Sequence, residues 1–573
     1  MNVTWEPPGP GRWELDRSHY PGGTTPISIG LMEASMAPGM RRVFRELGTP
    51  ADTLECRFVN GFMYTRLRPL IGGSRSATKL PPRLVLKVVS RMHPAFRRSR
   101  AQMRRTLQER PWRAVVDEWH RTTRAELARQ NTAFQDVDLG AVDDAALSAH
   151  LAALLDHCHR TFEQHFYLHG FDLGPIGLLL YSCGRWGIAP GEVLPALEGA
   201  SPSSGAPAAE LERLRAAIEA TGQTPASLAE LRTLSPGAAS LLDDYLRRRG
   251  AVLFSRYDLD GITLDEAPDV VLSTILDSRA RTNPGAPQII AAALRDRVPE
   301  ADRPAFDRWL EEARAAMDLR DDNGPHTVEW PAGLLHKALL EVGRRLVARG
   351  DAIDASHAFE LSADEARTVL LADRPAIAGL GAATLSARAE HRRLLATLDP
   401  PLALGPVEPA PPLDVLPDPL PIIIGAVNLV IAEMGLSRAQ GQTRDPLAGA
   451  GVGTTSYRGR ARLARNPEEA ILAMEPGDVL VTAFTTPAYN VVLGIAGAVV
   501  TSEGGPLSHA AVLARELGIP ALIGASGAML RIADGDTIEV DPVAGLVRVL
   551  NHRATPNSHD GASAIAAAGG PVD

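Results

Sequence analysis

Nine prolines fall within the 22 residues from Pro400 to Pro421. Proline lacks an amide hydrogen and fixes φ, so this stretch is expected to run extended rather than helical, as a semi-rigid arm of about 3 Å per residue. It splits the chain into two regions with different sequence grammar. The 573 residues, at about 100–200 per domain, allow roughly three to five domains.

Before the arm the pattern is helical. Arg98 to Gln130 carries apolar residues at helical intervals in a charged background. Asp143 to His169 places Leu147, Leu151, Leu154, Leu155, Phe162 and Phe166 on one stripe. Further helices are expected over 211–221, 239–249, 269–281, 289–297, 304–319 and 330–350, and Ser362 with acidic residues behind it opens another. The turn-rich run Gly199 to Ala209 reads as a linker. The expected layout is a helical part over 1–200, a second over 201–399, a Pro-rich and Gly/Ala linker over 400–450, an α/β domain over 451–550 and a disordered tail over 551–573.

Composition removes several classes of protein. Only three of the 59 basic residues are lysines: Lys79, Lys87 and Lys337. None is followed by Ser or Thr as a P-loop requires. Lys87 has Gly72-Gly73 upstream, but no His-Arg-Asp or Asp-Phe-Gly follows, which removes a protein-kinase core. A net charge of −9 gives no global attraction to nucleic acid or anionic lipid. Cys56, Cys158 and Cys183 have no metal spacing and are too few for a disulfide framework, which fits a reduced cytoplasm. No signal peptide or membrane span is visible, so a cytoplasmic location is expected.

After the arm, short strands alternate with helices. Strands are expected over 479–482, 498–501, 521–523, 537–540 and 547–550, and helices after Asn466, over 488–495 and from Pro506 to Leu517. The informative segment runs from Thr501 to Pro520. A strand ends, Gly504 and Gly505 permit close backbone approach, and His509 falls in the first turn of a helix. Free N–H groups and the positive end of the helix dipole lie there. An imidazole so placed is expected to have a depressed pKa and to be nucleophilic, and a phosphoryl group on it would be stabilised by roughly 1–2 kcal/mol. Ser508 offers a further hydroxyl, and Ala510-Ala511 are expected to keep the surface beside the imidazole low.

The window Gly504 to Ala521, with Gly-Gly-x-x-x-His-Ala-Ala followed by Ala-Arg and Gly-Ile-Pro-Ala, resembles the phosphohistidine segment of the PEP-utilising enzymes. Asp478 to Thr482, Thr485-Thr486-Pro487, Asp534-Gly535-Asp536 and Val540-Asp541 extend the likeness over about Gly451 to Leu550. The resemblance implies a multidomain protein: a large mainly α-helical N-terminal region plus a C-terminal β/β/α swivelling phosphohistidine domain. It assigns His509 as the phosphorylated residue and Gly504, Gly505, Ser508 and Arg515 as phosphate-stabilising. Dikinases and enzyme I usually carry Thr two residues before the His, where this chain has Leu507, so the pattern sits closer to rifampicin phosphotransferase and phenylphosphate synthase.

The helical region resembles the substrate domain of that branch through Trp13 to Asp16 with His19-Tyr20-Pro21, His169-Gly170-Phe171, and Gly343 to Leu346 with Phe359 to Glu365. Arg320-Asp321 matches the start of an Arg-Glu-x-x-Lys word, with Gly324 in the lysine position. Arg320, Asp321 and His169 are therefore the candidate substrate contacts. His165 and His169 stand four apart on one helix face, but without a third ligand no metal site is expected; His169 as a pocket base stays open.

Enzymes of this family draw phosphoryl groups from ATP on an ATP-grasp domain or from PEP on a barrel, and neither is expected here. The resemblance implies no intrinsic cofactor, with ATP and Mg on a separate ATP-grasp protein, and a small-molecule acceptor; no nucleic acid or membrane partner is expected. The first reading is a phosphotransferase component that passes phosphoryl from His509 to an acceptor hydroxyl. The second is a repurposed relative that catalyses elimination or another non-phosphoryl step on a secondary metabolite. The third is a non-catalytic binding or regulatory protein.

Overall fold

The computed structural model describes residues 3–16, 19–277, 286–371, 379–433, 447–485 and 489–551. Its spine is a 42-residue helix, Asp144–Arg185, capped by the Asp143 carboxylate, which accepts from the Ala146 amide at 2.8 Å. The helices Pro26–Leu47, Arg303–Gly324, Trp330–Arg349 and Leu420–Glu433 pack against it. Two glycines allow the close crossings. A Cβ at Gly39 would stand 2.4 Å from the Glu163 carbonyl oxygen, and one at Gly177 would stand 2.7 Å from that of Ala426.

One core of the helical body spans residue 200. Leu151, Leu154 and Phe162 share one core with Leu335, Leu339 and Leu385, because the spine contacts elements from both sides of that point. The expected linker Gly199 to Ala209 is mostly helix, Pro202–Glu219. Ser201 caps it, and two groups of its first turn bond acids on Arg303–Gly324: Ser203 N–H donates to Asp318 Oδ1 at 2.8 Å and Ser204 Oγ to Asp321 Oδ2 at 2.6 Å. Residues that suggest a loop in isolation here start a helix against those acids.

The first 400 residues also contain a sheet that helical periodicity did not anticipate. Strands Ala51–Val59 and Phe62–Pro69 form a hairpin through Asn60-Gly61, both at positive φ (52° and 77°), which a type I′ turn requires. Trp13–Asp16 pairs with the second of these, and Ala403–Leu404 pairs with Trp13–Asp16. The Pro-rich segment therefore is not a free arm. Its backbone is held by Leu15 N–H on Leu402 O (3.0 Å), Tyr64 OH on Pro401 O (2.8 Å) and Arg100 Nε on Asp418 O (2.8 Å). Pro421 occupies the first turn of Leu420–Glu433, where no amide hydrogen is needed.

The C-terminal region is a seven-stranded sheet. In spatial order its strands are Leu546–Asn551, Thr537–Asp541, Tyr457–Ala464, Val479–Thr482, Ala498–Thr501, Ala521–Ile523 and Ala450–Val452. The four from Tyr457–Ala464 to Ala521–Ile523 are parallel. The strand Ala450–Val452 starts at the last residue of the expected linker, and most of the Gly/Ala stretch before it, 434–446, lies outside the described residues, as does the expected tail from 552. The helix expected over 488–495 is described as the single turn Asn490–Leu493.

Candidate active site

Adjacent parallel strands Val479–Thr482 and Ala498–Thr501 end in register, Thr482 beside Thr501. The loops leaving their carboxyl ends therefore emerge side by side, the usual position for ligands in an α/β sheet. The first loop carries Thr485 and the second carries His509. Thr485 Oγ1 lies 2.9 Å from His509 Nδ1. That contact engages one ring nitrogen and leaves Nε2 for chemistry. Thr486-Pro487, named with Thr485 in the sequence pattern, lie outside the described residues.

The helix starts at His509, not at Pro506: His509–Leu517, with Ser508 as N-cap and Gly518 as the left-handed C-cap. Pro506 and Leu507 belong to the turn before it, closed by Ser508 N–H on Gly505 O at 2.8 Å. Ser508 Oγ accepts from Ala511 N–H at 3.5 Å. Gly504 has φ +101°, and a Cβ there would lie 3.1 Å from Ser508 Oγ. Ala510 and Ala511 do not flank the imidazole; both are buried in the core of the domain (2% and 0% exposed). Arg515 is one and a half turns beyond His509, where Nη1 donates to Pro506 O at 2.5 Å and Nε faces Glu198 at 3.6 Å. It braces the loop that carries Gly504 and Gly505 and ties it to the helical body.

That body supplies the other half of the site. Leu507 is a latch: its amide donates to Glu433 O at 2.7 Å, its carbonyl accepts from Arg320 Nη2 at 2.8 Å, and its side chain shares an apolar cluster with Ile176, Leu194 and Met317. Arg320 Nη1 is buried without a hydrogen-bond partner, and its closest carboxylate, Asp321 Oδ1, stands 3.6 Å away. Burial, and then the charge of Arg320, push the His509 imidazole down to about 3. It is therefore neutral at physiological pH. Asp321, with its carboxyl raised by burial, holds Ser204 rather than facing the histidine.

His169 lies on the spine. At 3.6 residues per turn, His165, His169, Asp172, Ile176 and Leu179 form one stripe that leads into the cluster holding Leu507. Asp172 Oδ2 is 3.0 Å from His169 Nδ1, His169 Nε2 is 3.0 Å from His165 Nε2, and His165 Nδ1 is 3.1 Å from Thr327 Oγ1. Burial, then His169 and His19, hold His165 well below its ordinary range. Thr327 lies in a π-turn, Pro325–Glu329, where Pro325 interrupts the helical ladder between Arg303–Gly324 and Trp330–Arg349. At its end Glu329 is 5% exposed, and burial pushes its carboxyl up to about 8. A Cβ at Gly324 would stand 3.2 Å from Glu329 Oε1, so a carboxyl borders the position where the Arg-Glu-x-x-Lys word has lysine.

Thr485, Leu507, Glu329 and Glu198 are site residues that sequence reasoning did not select; Thr485 carried a signal as part of a loop pattern and Leu507 as the departure from the dikinase pattern. Among the described residues no group of three or more His, Cys, Asp and Glu is placed to hold a metal ion. No helix among them is long and apolar enough to cross a membrane.

This geometry agrees with the comparisons to known proteins. Residues 474–545 match the family model "PEP-utilising enzyme, mobile domain". Over that segment the chain is similar to the PEP-utilising enzymes. Chondramide synthase of Chondromyces crocatus is 27% identical over 96% of this chain and 14% of its own length. An uncharacterized protein of Mycobacterium tuberculosis is 35% identical over 41% of this chain and 24% of its own. A rifampicin phosphotransferase of Streptomyces is 27% identical over 55% of this chain and 35% of its own. The chain thus spans between 14% and 35% of the length of these relatives.

Proposed function

We propose that the chain is the acceptor-and-carrier portion of a phosphotransferase. His509 Nε2 takes a phosphoryl group from an ATP-grasp unit outside this sequence and passes it to a hydroxyl of a small organic acceptor bound by the helical body. One observation carries this reading: a neutral imidazole with Nδ1 engaged by Thr485 lies within the electrostatic reach of Arg320, a buried arginine whose Nη1 has no hydrogen-bond partner. Arg320 Nη1 would bond an equatorial oxygen of the phosphoryl group as charge builds during transfer, and the helix N-terminus would bond another. Transfer is ping-pong. The N–P bond to Nε2 breaks, its electron pair returns to the ring, the acceptor oxygen bonds phosphorus, and the hydroxyl proton leaves to a base, for which His169 on the spine is the candidate. ATP and Mg would reside on the donor unit. The Pro-rich segment is pinned to the body and so would not itself supply a swivel between donor and acceptor.

The test is to incubate the full chain with a candidate ATP-grasp protein and labelled ATP. Acid-labile label on the wild type and none on His509→Ala supports the reading; label that persists in the variant removes the site assignment.

A second reading is favoured by one finding, that the match over 96% of this chain is to a protein named a synthase rather than a phosphotransferase. In that reading the helical body acts on a secondary metabolite by elimination or another non-phosphoryl step. Turnover without ATP that survives His509→Ala would select it.

A further inference from the structure

Charge is distributed unevenly in this chain. From Cys56 to Gln108 there are 13 Lys and Arg and no Asp or Glu, which leaves 46 basic against 68 acidic residues elsewhere. Within that stretch the helix Arg83–Met92 buries only Ser90, whose hydroxyl donates to Val415 O at 2.8 Å. Its large apolar side chains point outward: Leu84 is 74% exposed, Val88 53% and Met92 67%, with Val85 and Val89 exposed beside them.

The order of those residues on the helix is regular. At 100° per residue, Leu84, Val88, Met92, Val85 and Val89 fall in one sector about 140° wide, and Arg83, Lys87 and Arg91 fill an adjoining sector about 80° wide. The next helix, Pro94–Glu109, adds exposed Arg97, Arg98, Arg104 and Arg105. Five exposed aliphatic side chains in one continuous face are a liability for a surface with no partner. A nucleic acid would use the cations but not the valines. A protein would need an acidic-rimmed groove into which a projecting helix could lie. A flat anionic lipid surface meets both halves, since the aliphatic face enters the acyl boundary and the cations stay at the headgroups.

We propose that Arg83–Met92 is an interfacial helix that docks this protein on membranes containing anionic lipid, without spanning them. The net charge of −9 argues against such binding only as an average; the local field at this helix has the opposite sign. The helix contacts the Pro-rich segment through Arg83 on Asp414 and Arg91 on Val415 O, so docking would place the membrane beside the connection to the mobile domain.

The test is flotation of the full chain with vesicles of phosphatidylcholine alone and of phosphatidylcholine mixed equally with phosphatidylglycerol. The protein should float with the mixed vesicles only, and less so as salt rises. Leu84→Glu/Val88→Glu/Met92→Glu should lower the bound fraction at least about tenfold with an unchanged melting temperature, because these side chains are already in water. A second variant, Lys87→Gln/Arg97→Gln/Arg98→Gln, should weaken binding at low salt. No flotation with mixed vesicles at low salt would overturn the proposal, as would binding that the triple Glu variant leaves intact. Retention on polyglutamate beads without flotation would also overturn it and assign the helix to an acidic protein.

Discussion

His509 and Arg320 approach each other across the seam between two parts of the chain, and the arginine charge acts on the imidazole. Burial is the larger cause of the low imidazole pKa and the arginine charge the second. Replacing Arg320 by Gln should therefore raise the His509 pKa, read as a shift in the ring-carbon proton titration by NMR. An unchanged titration would mean that the two side chains do not meet in solution. Buried titratable groups also set the pH dependence of stability. His157, pushed down to about 4 by burial and then Arg160, and His509, at about 3, both stay neutral in the fold while the unfolded chain protonates near 6.5. Each should cost stability as pH falls below 6.5, by up to about 1.4 kcal/mol per unit, until its folded pKa is reached. Glu329 acts in the opposite sense. Its folded pKa of about 8 lies above the unfolded value, so stability falls as pH rises from about 4.5 toward 8. Glu329→Gln should remove that slope and raise stability at pH 7 by roughly 2–3 kcal/mol in thermal melts; a variant no more stable than wild type at pH 7 would place the carboxyl in a solvated site.

At the scale of elements, the sequence was most legible where a cap or a turn residue stands at a boundary. Asn466 with Pro467, Ser362 with Glu365 and Gly518 mark helix ends where the structure has them. The Asn60-Gly61 dipeptide is an equally local hairpin signal that the helical reading of residues 1–200 did not use. The helix Pro202–Glu219 was hidden for a different reason: its polar first turn is satisfied by Asp318 and Asp321, more than a hundred residues away, and no local pattern reports that. Close helix crossings were also invisible beforehand. Gly343 packs so tightly that a Cβ would stand 1.9 Å from the Ala355 carbonyl oxygen. Gly343→Ala should cost at least about 2 kcal/mol in denaturant unfolding, since backbone rather than a side chain must move. A loss below about 0.5 kcal/mol would show that the crossing is not rigid.

For the molecule as a whole, the placement of His509 at a helix start was legible because backbone approach, helix start and imidazole are all local in sequence. The acceptor side was not, because Arg320, Leu507 and Glu433 come from three distant segments and meet only after folding. Leu507 stands in the gap between the dikinase pattern and this one, and the structure gives it a role there as a latch. Leu507→Asp should release the mobile domain from the body, with a larger radius of gyration in X-ray scattering and faster amide exchange around Arg320; an unchanged radius would mean that other contacts hold it.

The central claim is that His509 carries phosphate on Nε2 while Nδ1 bonds Thr485. Phosphoramidate transfers phosphoryl to histidine without a donor protein, so the full chain can be treated directly, mapped by mass spectrometry at neutral pH and examined by phosphorus NMR. The account predicts one acid-labile phosphate on His509, attached at Nε2 and absent from His509→Ala. Attachment at Nδ1, or modification of other histidines with His509 untouched, would contradict it.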